Sequence, residues 1–234
     1  MAVVAQERPT ASLVEALPAA DPAPLGLAAF ALTTFMLSGH NANFIPDLVW
    51  VGLALFYGGL VQLLAGMWEF RNRNVFGATA FSTYGGFWLS LGIFVVFVVN
   101  TKLGGLLTGT DASSSLAWFL IAFAIFNTYM LLWSTRVSGA VFAVFLTLEI
   151  TEILLAIGFL VGAHRGIALA TGKDVGWIKA GGWAGIVTAA TAWYASAGLV
   201  LKGMAGREIL PLGKPLWSGT ELPMSRHGVP ARAR

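Results

Sequence analysis

The chain contains no cysteine among its 234 residues, and only 11% of its residues are charged. The absence of cysteine excludes disulfides and thiolate chemistry. The low charge separates the chain from soluble domains, in which about 25% of residues are charged. Several continuous apolar runs are close to the roughly 20 residues that a helix needs to cross a bilayer. The sequence therefore predicts an all-α integral membrane protein rather than a barrel, whose strands would be short and alternating.

The sequence also lacks the motifs of several common enzyme classes. It has no Gly-x-Ser-x-Gly motif, no phosphate-binding loop and no dinucleotide fingerprint. The histidines His40, His164 and His227 lack the spacing of a zinc site. We therefore expect no enzymatic activity, no metal and no cofactor. The net charge of +3 is small and mostly terminal, so it indicates membrane topology rather than nucleic-acid binding.

Six apolar runs predict six transmembrane helices, at about 25–45, 49–68, 76–99, 116–134, 138–162 and 180–201. We expect a flexible tail at 1–20, a six-helix domain at 21–213 and a second flexible tail at 214–234. Six spans place both termini on one side of the membrane. Ten of the 14 Lys and Arg residues lie on that side, which predicts cytoplasmic termini in a multi-pass protein of the plasma membrane.

Small residues recur along two of the predicted helices. They are Gly52, Gly59 and Gly66 in the second span, and Gly181, Gly185 and Ala189 in the sixth. Such stripes let helix backbones approach closely in lipid. The pattern fits packing within a protomer, a subunit interface, or both on different faces.

Polar side chains inside the predicted spans are costly in lipid, so they indicate helix contacts or a solute pathway. The main candidates are Thr33, Thr34, Ser38, His40, Asn41, Gln62, Ser82, Thr83, Tyr84, Asn127, Glu149 and Glu152. Hydroxyl groups can bond to carbonyls of their own helix, and amides can bond a neighbouring helix. For these residues a structural role and a pathway role both remain open.

Glu149 and Glu152 are spaced i and i+3, which places them on one helix face bordered by Leu148. Two carboxylates this close in a low dielectric do not easily ionise together. Either both glutamates bond a partner helix, with at least one of them protonated, or they border a wet pathway or proton site. The sequence leaves both interpretations open.

Four segments, in order and with sensible spacing, match the motifs of one known family. They are DPAPLGLAAFALTTF from Asp21, FYGGLVQLLAGMWEFRNRNVFGATAFSTYGGFW from Phe56, and the shorter LLAIG and GREILPLG. The first resembles the Asn-Pro-Ala-Pro-Leu-Gly-Leu signature of the acetate uptake transporter family. That family includes bacterial succinate–acetate permeases and yeast acetate/ammonia export proteins. The resemblance covers about 21–213.

This resemblance implies six-helix protomers that assemble as a homo-hexamer in the lipid bilayer, each with its own pathway for acetate and sometimes larger carboxylates. It places the constriction at Phe30, Tyr84 and Leu148, from the first, third and fifth helices. Two departures stand out. The family's leading Asn is Asp21 here, and aspartate also caps helices well. The two glutamates replace apolar residues of the enteric bacterial relatives.

We therefore expect a transporter or channel for small carboxylates, with proton-coupled uptake. The expected polar contacts to the substrate are Thr33, Thr34, Gln62, Thr83 and Asn127, and the candidates for proton coupling are Glu149 and Glu152. An alternative is a pore for another small solute such as urea, an amide or ammonia. A membrane sensor or assembly protein is a third class, disfavoured because no soluble domain or long loop is evident.

Overall fold

The computed structural model describes residues 20–46, 48–99 and 111–217, and all regular elements in these ranges are helical. Each of the six long helices is apolar enough to cross a bilayer. They are α1 (Ala23–Asn41), α2 (Val49–Arg71), α3 (Val75–Val99), α4 (Asp111–Ser134), α5 (Gly139–His164) and α6 (Gly176–Ala205). The prediction of six membrane-spanning helices is confirmed. Residues 1–19 and most of the predicted C-terminal tail lie outside the described residues.

Helix α1 begins in the segment DPAP. The Asp21 carboxylate accepts a hydrogen bond of 2.9 Å from the Ala23 N–H, the first helical donor. Pro22 is the N-cap residue, and Pro24 lies in the first turn. A proline there removes an N–H that would have no partner within the helix. The two prolines therefore fix where α1 starts.

Helix α2 contains a π-helical segment, Phe56–Val61, between two α-helical parts. Gly58 in this segment lies against α1, because an added Cβ would come within 2.6 Å of Thr33 Oγ1. Gly59 lies against Leu89 of α3, with a corresponding distance of 2.8 Å. The widened turn and its glycines thus bring α2 close to two neighbouring helices at once.

The bundle is held by close pairs of helices: α6 packs extensively on α1 and α5, α4 packs on α5, and α2 packs on α3. The glycine stripes lie largely in these seams, with Gly181 against Leu155 and Gly66 against Ser82. Gly52 differs, because an added Cβ there would meet nothing within 4 Å. Packing within the protomer therefore accounts for most of the stripes.

Helices α3 and α4 approach each other mainly through aromatic side chains, since their backbones make few close contacts. Phe87 packs against Phe119 and Phe123 with ring centroids 5.1 and 4.8 Å apart. Tyr84 packs against Phe126 at 5.5 Å. These rings fill the space where α3 and α4 diverge, and two of them, Tyr84 and Phe87, also line the cavities described below.

A C-terminal segment, residues 206–217, folds back onto the bundle after Gly206 ends α6 in a left-handed conformation, with φ of +67°. The Leu212 carbonyl accepts a hydrogen bond of 2.8 Å from the Ala140 N–H at the start of α5. The Trp217 ring lies 4.7 Å from the Arg136 guanidinium carbon. The C-terminal segment therefore contacts the bundle as far as Trp217.

Candidate functional site

Three buried cavities form a series between the two ends of the bundle. The tail-side cavity, of about 190 Å³, reaches Asp21 and Leu212 at the end where the described chain begins and finishes. The loop-side cavity, of about 110 Å³, reaches His40 and Thr171 at the opposite end. A central cavity of about 40 Å³ shares lining residues with both. The series therefore outlines a path through the protomer.

Phe30, Tyr84 and Leu148 line both the tail-side and the central cavity, so they stand between the two. All three are buried, and they come from α1, α3 and α5. The Phe30 and Tyr84 rings meet edge to face, with centroids 5.8 Å apart. The structure thus brings together the three residues that the family resemblance assigned to a constriction.

A second boundary, between the central and loop-side cavities, has Phe87 as its aromatic member. Four other residues also line both of these cavities: Leu37, Asn41, Leu120 and Leu155. Sequence reasoning did not single out Phe87. Its spacing of i+3 from Tyr84, which places both on one face of α3, was the available signal.

A hydrogen-bonded chain of polar side chains runs from the central cavity toward α4. The Tyr84 hydroxyl lies 2.9 Å from Asn127 Oδ1 and 3.4 Å from Glu152 Oε1. Asn127 Nδ2 donates to the Phe145 carbonyl at 2.9 Å and to Glu149 Oε2 at 2.6 Å, which fixes the orientation of the amide. The phenol has one proton, so it can satisfy Asn127 and Glu152 with two full hydrogen bonds only when Glu152 is protonated and donates to the phenol oxygen; an ionised Glu152 would compete with Asn127 for the phenol proton.

The two glutamates do not bond each other directly, and they occupy different surroundings. Glu152 is 2% exposed and lines the central cavity. Glu149 is half-buried, lines none of the three cavities, and accepts a hydrogen bond of 2.8 Å from Thr128, an exposed residue of α4. The pair therefore connects the cavity to the outer face of α4 and α5 through Tyr84 and Asn127.

Unpartnered polar atoms are concentrated along the cavities. Within the described residues, eight buried side chains carry an N or O atom without a hydrogen-bond partner. Six of them line the three cavities: Gln62 the tail-side cavity, Thr34, Trp88 and Glu152 the central cavity, and His40 and Trp50 the loop-side cavity. The other two are Glu69 and Ser82. Unsatisfied buried groups cost free energy, so their concentration here indicates a site for polar guests.

Of the polar residues named from the sequence, Ser38 and Asn41 also line the central cavity, whereas Thr33, Thr83 and Asn127 lie off the path. Thr33 hydrogen-bonds to the Ala29 carbonyl at 2.9 Å and faces α2, because one residue turns the helix by about 100° from Thr34. Thr83 is half-buried and lines none of the three cavities. Asn127 also lies off the cavities, behind Tyr84. Trp50 and Trp88, which line cavities, were not predicted, since an unpaired indole N–H depends on tertiary surroundings.

The loop between α5 and α6 forms the rim of the loop-side cavity at Thr171. Asp174 Oδ2 accepts hydrogen bonds from the Thr171 backbone N–H at 2.9 Å and from its hydroxyl at 2.6 Å. These bonds lower the pKa of the Asp174 carboxyl below its usual value.

Within the described residues, no cluster of three His, Cys, Asp or Glu side chains could hold a metal.

A bundle of six membrane-length helices around a series of buried cavities defines a multi-pass membrane protein of the channel or transporter class. The chain belongs to the GPR1/FUN34/yaaH family, whose model matches residues 4–208. This finding confirms the resemblance stated from the sequence motifs.

Named relatives agree with this placement. Acetate permease A of Emericella nidulans is 43% identical, with 88% of this chain and 70% of the relative covered. The succinate-acetate/proton symporter SatP of Escherichia coli strain K12 is 35% identical, with 83% of this chain and 96% of the relative covered. A solved structure of the bacterial acetate channel SatP matches with a TM-score of 0.71 and 35% identity, covering 83% of this chain and 99% of that one.

Proposed function

We propose that this protein conducts acetate and related small carboxylates across the membrane through the three cavities of each protomer. The observation that carries the proposal is the placement of Phe30, Tyr84 and Leu148 between two cavities of a buried path. Two relatives are named as an acetate permease and an acetate channel, and these names support the same substrate class. The activity is transport, with no chemical conversion of the substrate.

Passage of a carboxylate through this path depends on two opposing features. Apolar and aromatic side chains at the constriction exclude large or strongly hydrated solutes, and such rings can also gate by dewetting. Unpartnered donors along the path, such as the Trp50 and Trp88 indoles, replace part of the water that an anion loses on entry. The combination favours a small solute with one strong hydrogen-bond acceptor.

The path is coupled to protons through Glu149 and Glu152. Two like charges about 4 Å apart cost about 4 kcal/mol at an effective dielectric near 20. An ionised Glu152 would therefore repel an acetate ion in the central cavity. A neutral Glu152 avoids this repulsion and agrees with the single-proton geometry at Tyr84. A glutamate that receives its proton on one side and releases it on the other would couple uptake to the proton gradient.

The protomers assemble as a homo-hexamer in the plasma membrane, with both termini in the cytoplasm. Glu149 and Thr128 support an assembly, because their bonded pair lies on the outer face of the bundle, midway along membrane-spanning helices. A carboxyl group facing lipid is costly, and a neighbouring subunit would cover it. The excess of Lys and Arg on the side of the termini supports the orientation.

The test is uptake of radiolabelled acetate and urea into proteoliposomes, with and without an imposed proton gradient. We expect saturable acetate uptake that an inward proton gradient stimulates, and urea uptake no faster than in protein-free liposomes. Urea uptake without acetate uptake would identify a pore for neutral solutes. No uptake of either solute would place the protein outside the transport class.

A further inference from the structure

The tail-side cavity has one charged side chain, Asp21, among the described residues that line it. The other polar residues of this lining are uncharged, namely Gln62, Asn74, Tyr84 and Ser138. No Lys, Arg or His of the described ranges is part of the lining. An anion that crosses the tail-side cavity therefore meets one fixed negative charge and no fixed positive charge in its wall.

The Asp21 carboxylate is held at the mouth of this cavity, which is the end where α1 begins. Asp21 Oδ1 accepts a hydrogen bond of 2.9 Å from the Ala23 N–H, and the residue is exposed to solvent. The N-terminal end of a helix favours a negative charge at this position. The carboxylate is thus anchored to the backbone and still faces the water through which a solute enters or leaves.

A second acid, Glu69, lies close by but outside the cavity wall. Glu69 is 1% exposed and is not among the residues that line the three cavities. A Cβ added at Gly77 would lie 2.6 Å from Asn74 Nδ2 and 2.7 Å from Glu69 Oε1. Gly77 and Asn74 both line the cavity, so they separate the Glu69 carboxyl from its interior. Asp21 is therefore the acid that a passing solute reaches directly.

The basic residues at the same end of the bundle lie around the mouth rather than in it. Six Lys and Arg side chains of the described ranges are at this end, and none lines the tail-side cavity: Arg71, Arg73, Arg136, Lys202, Arg207 and Lys214. Such a field raises the local concentration of anions, and salt screens it over about 8 Å. The surroundings thus attract every anion, whereas the mouth opposes anions in proportion to their charge.

The repulsion by Asp21 depends on the number of charges on the solute. Coulomb energy is proportional to the product of the charges, so a dianion meets twice the repulsion of a monoanion at the same distance. In a dielectric close to that of water, one additional negative charge about 5 Å from a carboxylate lowers the population by about fourfold. The length of the solute does not enter this factor.

We propose that Asp21 is a charge filter at the mouth of the tail-side cavity, which favours monocarboxylates over dicarboxylates of the same length. The proposal rests on the proposed function and narrows its substrate class to singly charged acids. It separates two kinds of selection, because Phe30, Tyr84 and Leu148 sort solutes by size, whereas Asp21 sorts them by charge.

The first experiment compares uptake of acetate, butyrate and succinate at neutral pH in proteoliposomes with the wild type and Asp21→Asn. Butyrate and succinate are both four-carbon acids and differ in charge. The Asn side chain keeps an acceptor for the Ala23 N–H and removes the charge. We expect the succinate-to-acetate ratio to rise about fourfold and the butyrate-to-acetate ratio to stay unchanged.

The matched control is Glu208→Gln. It removes an exposed carboxylate at the same end of the bundle that does not line the cavity, and it keeps an acceptor for the Leu212 N–H. Both uptake ratios should equal those of the wild type. A rise in the succinate-to-acetate ratio as large as that of Asp21→Asn would assign the selection to the general surface charge and overturn the proposal.

A second measurement uses the wild type alone and so does not depend on the folding of a variant. At an ionic strength of about 1 M the screening length falls to about 3 Å, so the wild-type succinate-to-acetate ratio should rise toward that of Asp21→Asn. An unchanged succinate-to-acetate ratio in Asp21→Asn, or an equal rise for butyrate, would overturn the charge filter. Absence of acetate uptake by the wild type would instead overturn the proposed function.

Discussion

At the scale of single residues, the constriction should set the size of the transported acid. Phe30→Ala and Leu148→Ala each remove a side chain that separates two cavities, so we expect the succinate-to-acetate uptake ratio to rise several-fold. Tyr84→Ala should act in the same direction, although it also leaves Asn127 Oδ1 without its donor. Competition uptake in proteoliposomes measures the ratio. Leu146→Ala, on the exposed side of α5, is the matched control. Unchanged ratios in all three variants would contradict the assignment.

The two glutamates should differ in their effect on proton coupling. Glu152→Gln removes a titrating group from the central cavity, so acetate uptake should lose most of its response to an imposed proton gradient. Glu149→Gln keeps hydrogen-bonding capacity toward Thr128 and lies off the cavities, so it should retain a larger response. Uptake across a series of external pH values compares the variants. The coupling hypothesis fails if both variants keep the wild-type profile and respond fully to the gradient.

A residue's role could be predicted when a local sequence motif indicated it, and could not be predicted when it depended on contacts with other helices. The family motifs predicted that Phe30, Tyr84 and Leu148 lie together, and in the structure all three line the same two cavities. Thr33 and Thr34 could not be separated, because α1 is apolar on most sides and gives little indication of which face is buried. Trp88 was missed since its unpaired N–H is a consequence of residues on other helices.

At the scale of secondary-structure elements, hydropathy located every span but underestimated two of them. Helix α6 has 30 residues, or about 45 Å, and so extends beyond a hydrocarbon core of roughly 30 Å. Helix α4 starts at 111 rather than 116 because Ser113 anchors its polar first turns. The Ser113 hydroxyl donates to the Ile167 carbonyl and accepts from the Ala170 N–H, both at 2.8 Å. Such tertiary anchoring leaves no hydropathy signal.

The α1–α6 seam should be intolerant of added volume. A Cβ at Gly182 would lie 2.5 Å from Ala42 N and 2.7 Å from Ser38 O, and backbone atoms cannot rotate away. Gly182→Ala should therefore destabilise the fold by roughly 1–3 kcal/mol and lower the midpoint of thermal unfolding by several degrees. Gly203→Ala on the same helix meets nothing within 4 Å and should be neutral or slightly stabilising. Thermal unfolding in detergent compares them, and equal midpoints would contradict close packing at Gly182.

At the scale of the whole molecule, the charge distribution indicates which end of the series of cavities faces the cytoplasm. The tail-side cavity opens beside Asp21 and the C-terminal segment, and this end of the bundle carries six of the nine Lys and Arg residues in the described ranges. If the positive side is cytoplasmic, the tail-side cavity faces the cytoplasm and the loop-side rim at Thr171 faces outward. A substrate entering the cell would then meet Trp50 and His40 before the central cavity and the constriction.

This orientation can be measured cleanly because the chain has no cysteine of its own. Pro215→Cys and Gly176→Cys place single thiols at exposed positions on opposite ends of the bundle and leave every Lys and Arg in place. A membrane-impermeant maleimide should label Gly176→Cys in intact cells and label Pro215→Cys only after permeabilisation. Both variants must first show wild-type acetate uptake, so that labelling reports the functional fold. The reverse labelling pattern would place the tail-side cavity outside the cell, and the order in which the substrate meets Trp50 and the constriction would then be inverted.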